Sequence, residues 1–209
     1  MSVLPASALW RRTDCNGVEH VLYDDHAGLR ARGTVVVDDP IPYTCRYQLL
    51  ADERWATRLF EVETEGAGWQ RQVRLERSVD GWRVTTHERG RLDQVLARAG
   101  RPGAAFPGTD LPEELADAVD VDLLGSPMTN TLPLRRLGLV PGGAAGGRAH
   151  EVTVAWVLVP ELTVVPAEQR YAVIDAGRIR FESGTFAAEV TVDDSGFVRH
   201  YPGLADRLG

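Results

Sequence analysis

Short runs rich in Val, Thr, Tyr, Phe and Trp recur along this chain, separated by clusters of Gly, Pro, Asp and Asn. That pattern is the signature of an all-β domain built from many short strands. The clearest run covers residues 185–193, where Phe186, Ala188, Val190 and Val192 alternate with Ala187, Glu189, Thr191 and Asp193. A period of two puts one set against a core and the other in water. The same period places Trp69, Val73 and Leu75 on one side of a strand and Gln70, Gln72, Arg74 and Glu76 on the other, with Arg71 an exception on the apolar side. Further strands are predicted at 18–25, 29–37, 43–51, 56–65, 82–88, 151–159, 169–175, 178–183 and 197–201. Most connections are too short for crossover helices. Ser78-Val79-Asp80-Gly81, Asp175-Ala176-Gly177 and Asp193-Asp194-Ser195-Gly196 are hairpin-type breaks, so a mainly antiparallel meander is expected, at least in the second half.

Between residues 90 and 139 the pattern changes. Gly, Pro and Ala gather at 99–108, and Pro112-Glu113-Glu114 opens a short helical stretch to about Val119. This reads as an excursion between two β blocks. The glycine-rich residues 141–147 read as a flexible loop, and neither break divides the chain, so one domain over 1–209 is expected.

Composition changes this picture little. With 44% hydrophobic and 25% charged residues, the chain can build one sizeable core. The formal net charge of -7 opposes nucleic-acid and anionic-membrane binding. All 23 basic side chains are arginine, which removes lysine Schiff-base and P-loop chemistry. Cys15 and Cys45 are expected to be free thiols. The first 14 residues carry Arg11 and Arg12 but no apolar signal region, and no run reaches the ~18 apolar residues of a spanning helix. A cytoplasmic location without integral membrane association is expected.

Candidate chemistry is sparse. Glu19, His20, Asp24, Asp25 and His26 lie close in sequence, but ligands six residues apart on a strand are roughly 20 Å apart, so no metal site is expected. No nucleophile elbow, Walker loop, His-Glu-x-x-His helix or paired-cysteine zinc pattern is present, and no cofactor is expected. The richest segment is 120–137. There Thr129, Asn130 and Thr131 can cap a helical turn that begins near Leu132 or Pro133, and Leu132, Leu134 and Leu137 can share its buried side. Alternatively, Asn130, Arg135 and Arg136 can face a ligand, offering hydrogen bonds to sugar hydroxyls or a bidentate grip on phosphate or carboxylate. Trp55, beside Asp52 and Arg54 at a strand boundary, is placed to stack on a sugar face, and Arg58 can add charge at a cavity rim.

Four stretches carry a family likeness: residues 120–137, with their Ser126-Pro127-Met128-Thr129-Asn130-Thr131-Leu132-Pro133 core, and residues 186–204, 47–58 and 168–171. Through them the chain resembles, nearly end to end, the bacterial putative glycolipid-binding protein family, once a domain of unknown function. The resemblance implies a curved, half-barrel-like antiparallel sheet with one or two short helices, similar to bacterial lipoprotein carriers and receptors, and a hydrophobic concavity that takes glycolipid. It supplies no catalytic residues. The expected function is therefore non-catalytic binding of a small amphipathic ligand, with apolar groups in the concavity and Trp55, Arg58, Asn130, Arg135 and Arg136 meeting a polar head group at the rim. Two alternatives remain. One is an enzyme on a related small molecule using an acid such as Glu19 or Asp122, and the other is an interaction module with a filled sheet.

Overall fold

The computed structural model describes residues 4–24, 28–141 and 148–209. Seven strands come first: β1 (Ser7–Arg12), β2 (Gly17–Asp24), β3 (Leu29–Val37), β4 (Tyr43–Ala51), β5 (Thr57–Gly66), β6 (Trp69–Ser78) and β7 (Gly81–Gly90). The excursion holds α1 (Leu92–Arg98), a 3-10 turn (Pro112–Leu115), β8 (Asp120–Leu123) and α2 (Thr131–Arg136). Six strands follow: β9 (Ala149–Val157), β10 (Val164–Asp175), β11 (Arg178–Ser183), β12 (Phe186–Val192), β13 (Val198–Tyr201) and β14 (Ala205–Arg207). The predicted helix from Pro112 to about Val119 is thus a single tight turn, while α1 and the strands β1, β8 and β14 were not anticipated.

Among the described residues these strands form one open sheet, in the order β7-β6-β5-β4-β3-β2-β1-β14-β13-β12-β11-β10-β9-β8. Every neighbouring pair is antiparallel except β8 with β9. The first seven strands run from the centre to one edge and the last seven return from the other edge. The two ends of the chain therefore pair in the middle, Trp10 opposite Arg207 and Arg12 opposite Ala205. Thr57 N donates to Val119 O (3.3 Å), so the chain entering β8 lies against β5.

Alternation explains the strands well. In β3, Leu29, Ala31, Gly33, Val35 and Val37 are buried and every intervening residue is exposed. Hairpin breaks follow their residue chemistry: Gly81 adopts a φ of 109°, open to glycine at no steric cost, and Asp193 Oδ1 accepts from the backbone N–H of Ser195 and Phe197. Arg71 stays on the buried side of β6 because its charge is answered there. It forks onto Glu88 and donates to the carbonyls of Ala105 (2.6 Å) and Glu161 (2.9 Å).

The inner face of β1–β7 is filled. Val21, Leu49, Phe60, Val62, Val73 and Leu75 share one core with Leu115, Val121, Met128 and Leu132 from the excursion and with Val157, Leu162 and Val164. Trp82 Nε1 donates to Ala118 O (2.9 Å), tying the excursion to β7. A second core, under β9–β13, joins Leu134 and Leu139 to Val152, Tyr171, Phe181 and Tyr201. Leu132 and Leu134 thus enter different cores, and α2 wedges between them rather than presenting one leucine face. Both cysteines are free, Cys45 buried and Cys15 half-buried. Among the described residues no helix is long and apolar enough to cross a membrane.

Candidate functional site

The segment that leaves β8 and enters α2 is held by short hydrogen bonds. Thr129 Oγ1 donates to Asp122 Oδ1 (2.6 Å), and Gln169 Nε2 donates to Asp122 Oδ2 (2.7 Å). Tyr171 in turn donates to Gln169 Oε1 (2.8 Å), so a chain of polar groups from β10 fixes this carboxyl. Loss of solvation pushes the Asp122 carboxyl up to about 6, against the pull of those two side-chain hydrogen bonds.

Ser126, in the same segment, donates to Glu19 Oε1 (2.6 Å), as does the Tyr47 hydroxyl (2.6 Å). Glu19 is wholly buried on β2, and burial pushes its carboxyl up to about 7. Its second oxygen has no partner. Gly33 makes this arrangement possible, because a Cβ there would lie 2.0 Å from the Tyr47 ring.

Beside this network lies a cavity of about 290 Å³. Its apolar walls come from Leu124, Trp156, Phe181, Phe186, Tyr201 and Leu204, and its polar lining from Asp122, Ser126, Asn130 and Gln169. The rings of Phe181, Phe186 and Tyr201 stand about 6 Å apart in tilted and edge-on pairs (5.9 to 6.2 Å between centroids). Larger hollows of about 510 and 530 Å³ sit at strand ends and loops; the first is walled by Arg71, Glu88, Arg91 and Asp93, charges already matched to one another. A polar groove of about 420 Å³ lies over His20, Arg32, Arg46 and Glu63. The 290 Å³ cavity alone among these combines aromatic walls with a buried polar lining, the chemistry of small-molecule sites.

The residues singled out from sequence are distributed as follows. Asn130 lines the cavity, with its Oδ1 buried and without a hydrogen-bond partner. It occupies the position before α2, yet its side chain makes no capping bond. Arg136 forks onto Asp120, whose side chain is wholly buried, at 2.6 to 3.1 Å. Arg135 is half-buried, lies 4.4 Å over the Trp55 ring and donates to Ser195 O (3.0 Å). Trp55 itself sits at a φ of 66°, in a turn where Asp52 Oδ1 accepts from Arg54 N and Ala56 N. Arg58 is exposed and pairs with Asp52 (2.9 Å). The structure therefore brings Trp55 and Arg135 together, places Arg58 and Arg136 on separate carboxylates, and puts Asn130 in the cavity wall. Trp156, Phe181, Phe186 and Tyr201 were not singled out, since each reads as an ordinary strand residue. The available signal was Ser183, which ends the Ile179 and Phe181 face on a polar residue just before Phe186.

His20 and Asp24 lie exposed on the face of β2 opposite Glu19, while Asp25 and His26 fall outside the described residues. Among the described residues no three His, Cys, Asp or Glu side chains are grouped as a metal site.

No curated protein matches the chain. A solved structure of a DUF1089 family protein from Pseudomonas aeruginosa is similar, at 27% identity over 92% of each chain with a TM-score of 0.68. The sequence model of a family described as "Putative glycolipid-binding" matches residues 7–207, and the chain belongs to that family.

Proposed function

We propose that this protein binds a small amphipathic ligand, a glycolipid or a lipid-like molecule, without transforming it, in the cavity between the 122–130 segment and β9–β13. The carrying observation is a 290 Å³ space whose aromatic walls, Trp156, Phe181, Phe186 and Tyr201, meet a polar lining of Asp122, Ser126, Asn130 and Gln169. Family membership supports the same reading. The volume stands at the low end of the ~300–1,000 Å³ typical of ligand pockets, so one part of an amphiphile fits inside. The filled inner face of β1–β7 favours placing no ligand there. Asn130 belongs to this site, whereas Trp55, Arg135 and Arg136 hold α2 in place beside it. We further propose that the chain works as one domain in the cytoplasm, which cell fractionation against soluble and envelope markers tests.

Native mass spectrometry of purified protein, followed by solvent extraction, tests the binding reading. One amphiphile per chain is expected, and a bare chain that also fails to take up added amphiphile would contradict it.

A second reading, catalysis, is favoured by one observation: the Asp122 carboxyl lines the cavity and is pushed up to about 6, close to a working general acid or base. Both its oxygens already accept hydrogen bonds, which fits a bracing role better. Chemical change of the extracted amphiphile on incubation with the protein, lost in Asp122→Asn, would establish catalysis.

A further inference from the structure

The turn at residues 124–126 lines the cavity on one side and rests on Glu19 of β2 on the other. Glu19 is wholly buried, and the two donors that reach it, Ser126 and Tyr47, converge on Oε1. Its proton therefore belongs on Oε2, which has no partner. The charged form is poorly provided for. Arg12 on β1 is the one cation among the described residues that pulls on this carboxyl, and its guanidinium is already forked onto Asp14. The other titratable groups close to Glu19 are Tyr23 on β2 and Tyr47 and Cys45 on β4. Burial pushes all three up, so they stay neutral around neutral pH. The strand neighbours of Glu19 are Trp10 on β1 and Val35 on β3, neither of them charged, and the Arg207–Asp193 pair lies beyond Tyr23.

The elements around this carboxyl differ in how firmly they are held. Arg12, Tyr23 and Tyr47 stand on strands locked into continuous ladders. The turn is fastened more lightly: Leu124 N donates to Val157 O (2.9 Å), and Ser126 N donates to Leu123 O (2.9 Å) within the turn itself. Leu124 is 39% exposed, and Gly125 holds a φ of 81°. An ionised Glu19 can be relieved by solvent or by the Arg12 guanidinium. The turn stands in both routes, because Ser126 sits on Oε1 and a Cβ on Gly125 would lie 2.3 Å from the Arg12 guanidinium. A buried charge without a counter-ion is relieved where the cover is weakest, and here that cover is the turn.

We infer that Glu19 is a proton-operated latch on the 124–126 turn: the protonated carboxyl keeps the turn closed over β2, and loss of the proton releases it and parts the wall of the cavity. Burial pushes the enclosed carboxyl up to about 7, and contact with water in the opened turn returns it towards 4.5. The closed turn is therefore favoured most below 4.5, and that preference is lost as pH rises through about 7. Asp122, in the same segment, is pushed up to about 6 and acts in the same sense at lower pH. The consequence for ligand access rests on the binding role proposed above, whereas the latch itself is tested without any ligand.

Amide hydrogen exchange of the full chain between pH 6 and pH 8, corrected for the intrinsic rate, tests this at Leu124 and Ser126. Their protection should fall about tenfold through Glu19, with at most about a further twofold through Asp122, as linkage to these carboxyls requires. Glu19→Gln should leave no more than that twofold fall. In the parent protein the fall should level off at the midpoint of the Glu19 side-chain carboxyl carbon shift, a check that needs no variant. The amides of Leu49 and Phe60 report opening of the whole fold and should stay better protected than the turn at both pH values. A tenfold fall retained in Glu19→Gln would overturn the latch. So would a levelling-off away from the carboxyl midpoint, or a turn protected as strongly as Leu49 and Phe60 at pH 8.

Discussion

The two halves of the sheet meet the same crossing segment with different results. Under β1–β7 the excursion fills the inner face, with Val, Leu and Met side chains slotted against Phe60, Val62 and Leu75. Under β9–β13 the wall is aromatic, with Tyr171, Phe181, Phe186 and Tyr201 in tilted contact, and a cavity is left beside them. Rings alone do not make the difference, since Tyr47 and Phe60 are tilted against each other in the filled half as well (5.8 Å between centroids). The polar network on Asp122 keeps apolar groups from collapsing into the space beside it. One half is thus a closed core and the other a lined site, and Ser126, Thr129 and Asn130 belong to the segment that closes the first and frames the second.

The largest expected effects compare the two cores directly. Phe60→Ala should cost about 3–5 kcal/mol of stability, the usual figure for a truncated core phenylalanine. Phe181→Ala should cost less, since one side of that ring faces the cavity and lacks the contacts that truncation removes. Chemical denaturation of both variants measures the difference, and equal costs would mean that the second half is packed as tightly as the first.

The arginine pair separates brace from stack. Arg136→Ala leaves the buried Asp120 carboxylate unpaired and should cost roughly 3–5 kcal/mol. Arg135→Ala removes a partly exposed stack on Trp55 and one bond to a carbonyl, and should cost only about 1–2 kcal/mol. Thermal and chemical denaturation would show a reversed order if Arg135 were the principal brace.

Glu19 links the closed half to the frame of the cavity through Ser126. The folded carboxyl holds its proton to about 7, whereas an unfolded glutamate loses it near 4.5. The native state therefore carries the extra proton between these values. The stability present below 4.5 falls as pH rises to about 7, by up to roughly 3 kcal/mol at ~1.4 kcal/mol per unit. Glu19→Gln should flatten this fall, matching the parent at pH 4.5 and exceeding it at pH 8. A variant that is less stable than the parent at pH 8 would show that the charged form is the one the fold accommodates.

Much of the fold could be read from period-two alternation, because strands with one dry face must alternate. Residues 29–37, 43–51 and 178–183 were bounded as they occur. The strands that escaped were those where the period had too little length or contrast. β14 has three residues, β8 sets buried Asp120 beside Val121 and Leu123, and β1 buries only Ala8 and Trp10, with an exposed but apolar Leu9 between them that blurs the alternation. In the site, the 120–137 segment drew notice because it gathers polar side chains, two prolines and an arginine pair, but the Asp120 partnership of Arg136 depends on the packing of α2 against β8. The stack of Arg135 on Trp55 and the wall of Phe181, Phe186 and Tyr201 depend on contacts between distant turns and strands, which local spacing does not encode. Phe186 was grouped with the buried Val190 and Val192, but it lies at the end of β12, where the face opens onto the cavity mouth.

The central claim is that the ligand site lies in the open half and not in the closed one. Titration of isotope-labelled protein with octyl β-D-glucoside, followed by backbone amide shifts, tests it most directly. Saturable shifts should cluster on Ser126, Asn130, Phe181, Phe186 and Tyr201. Shifts centred instead on Tyr47, Phe60 and Leu75, or no saturable shift anywhere, would contradict it.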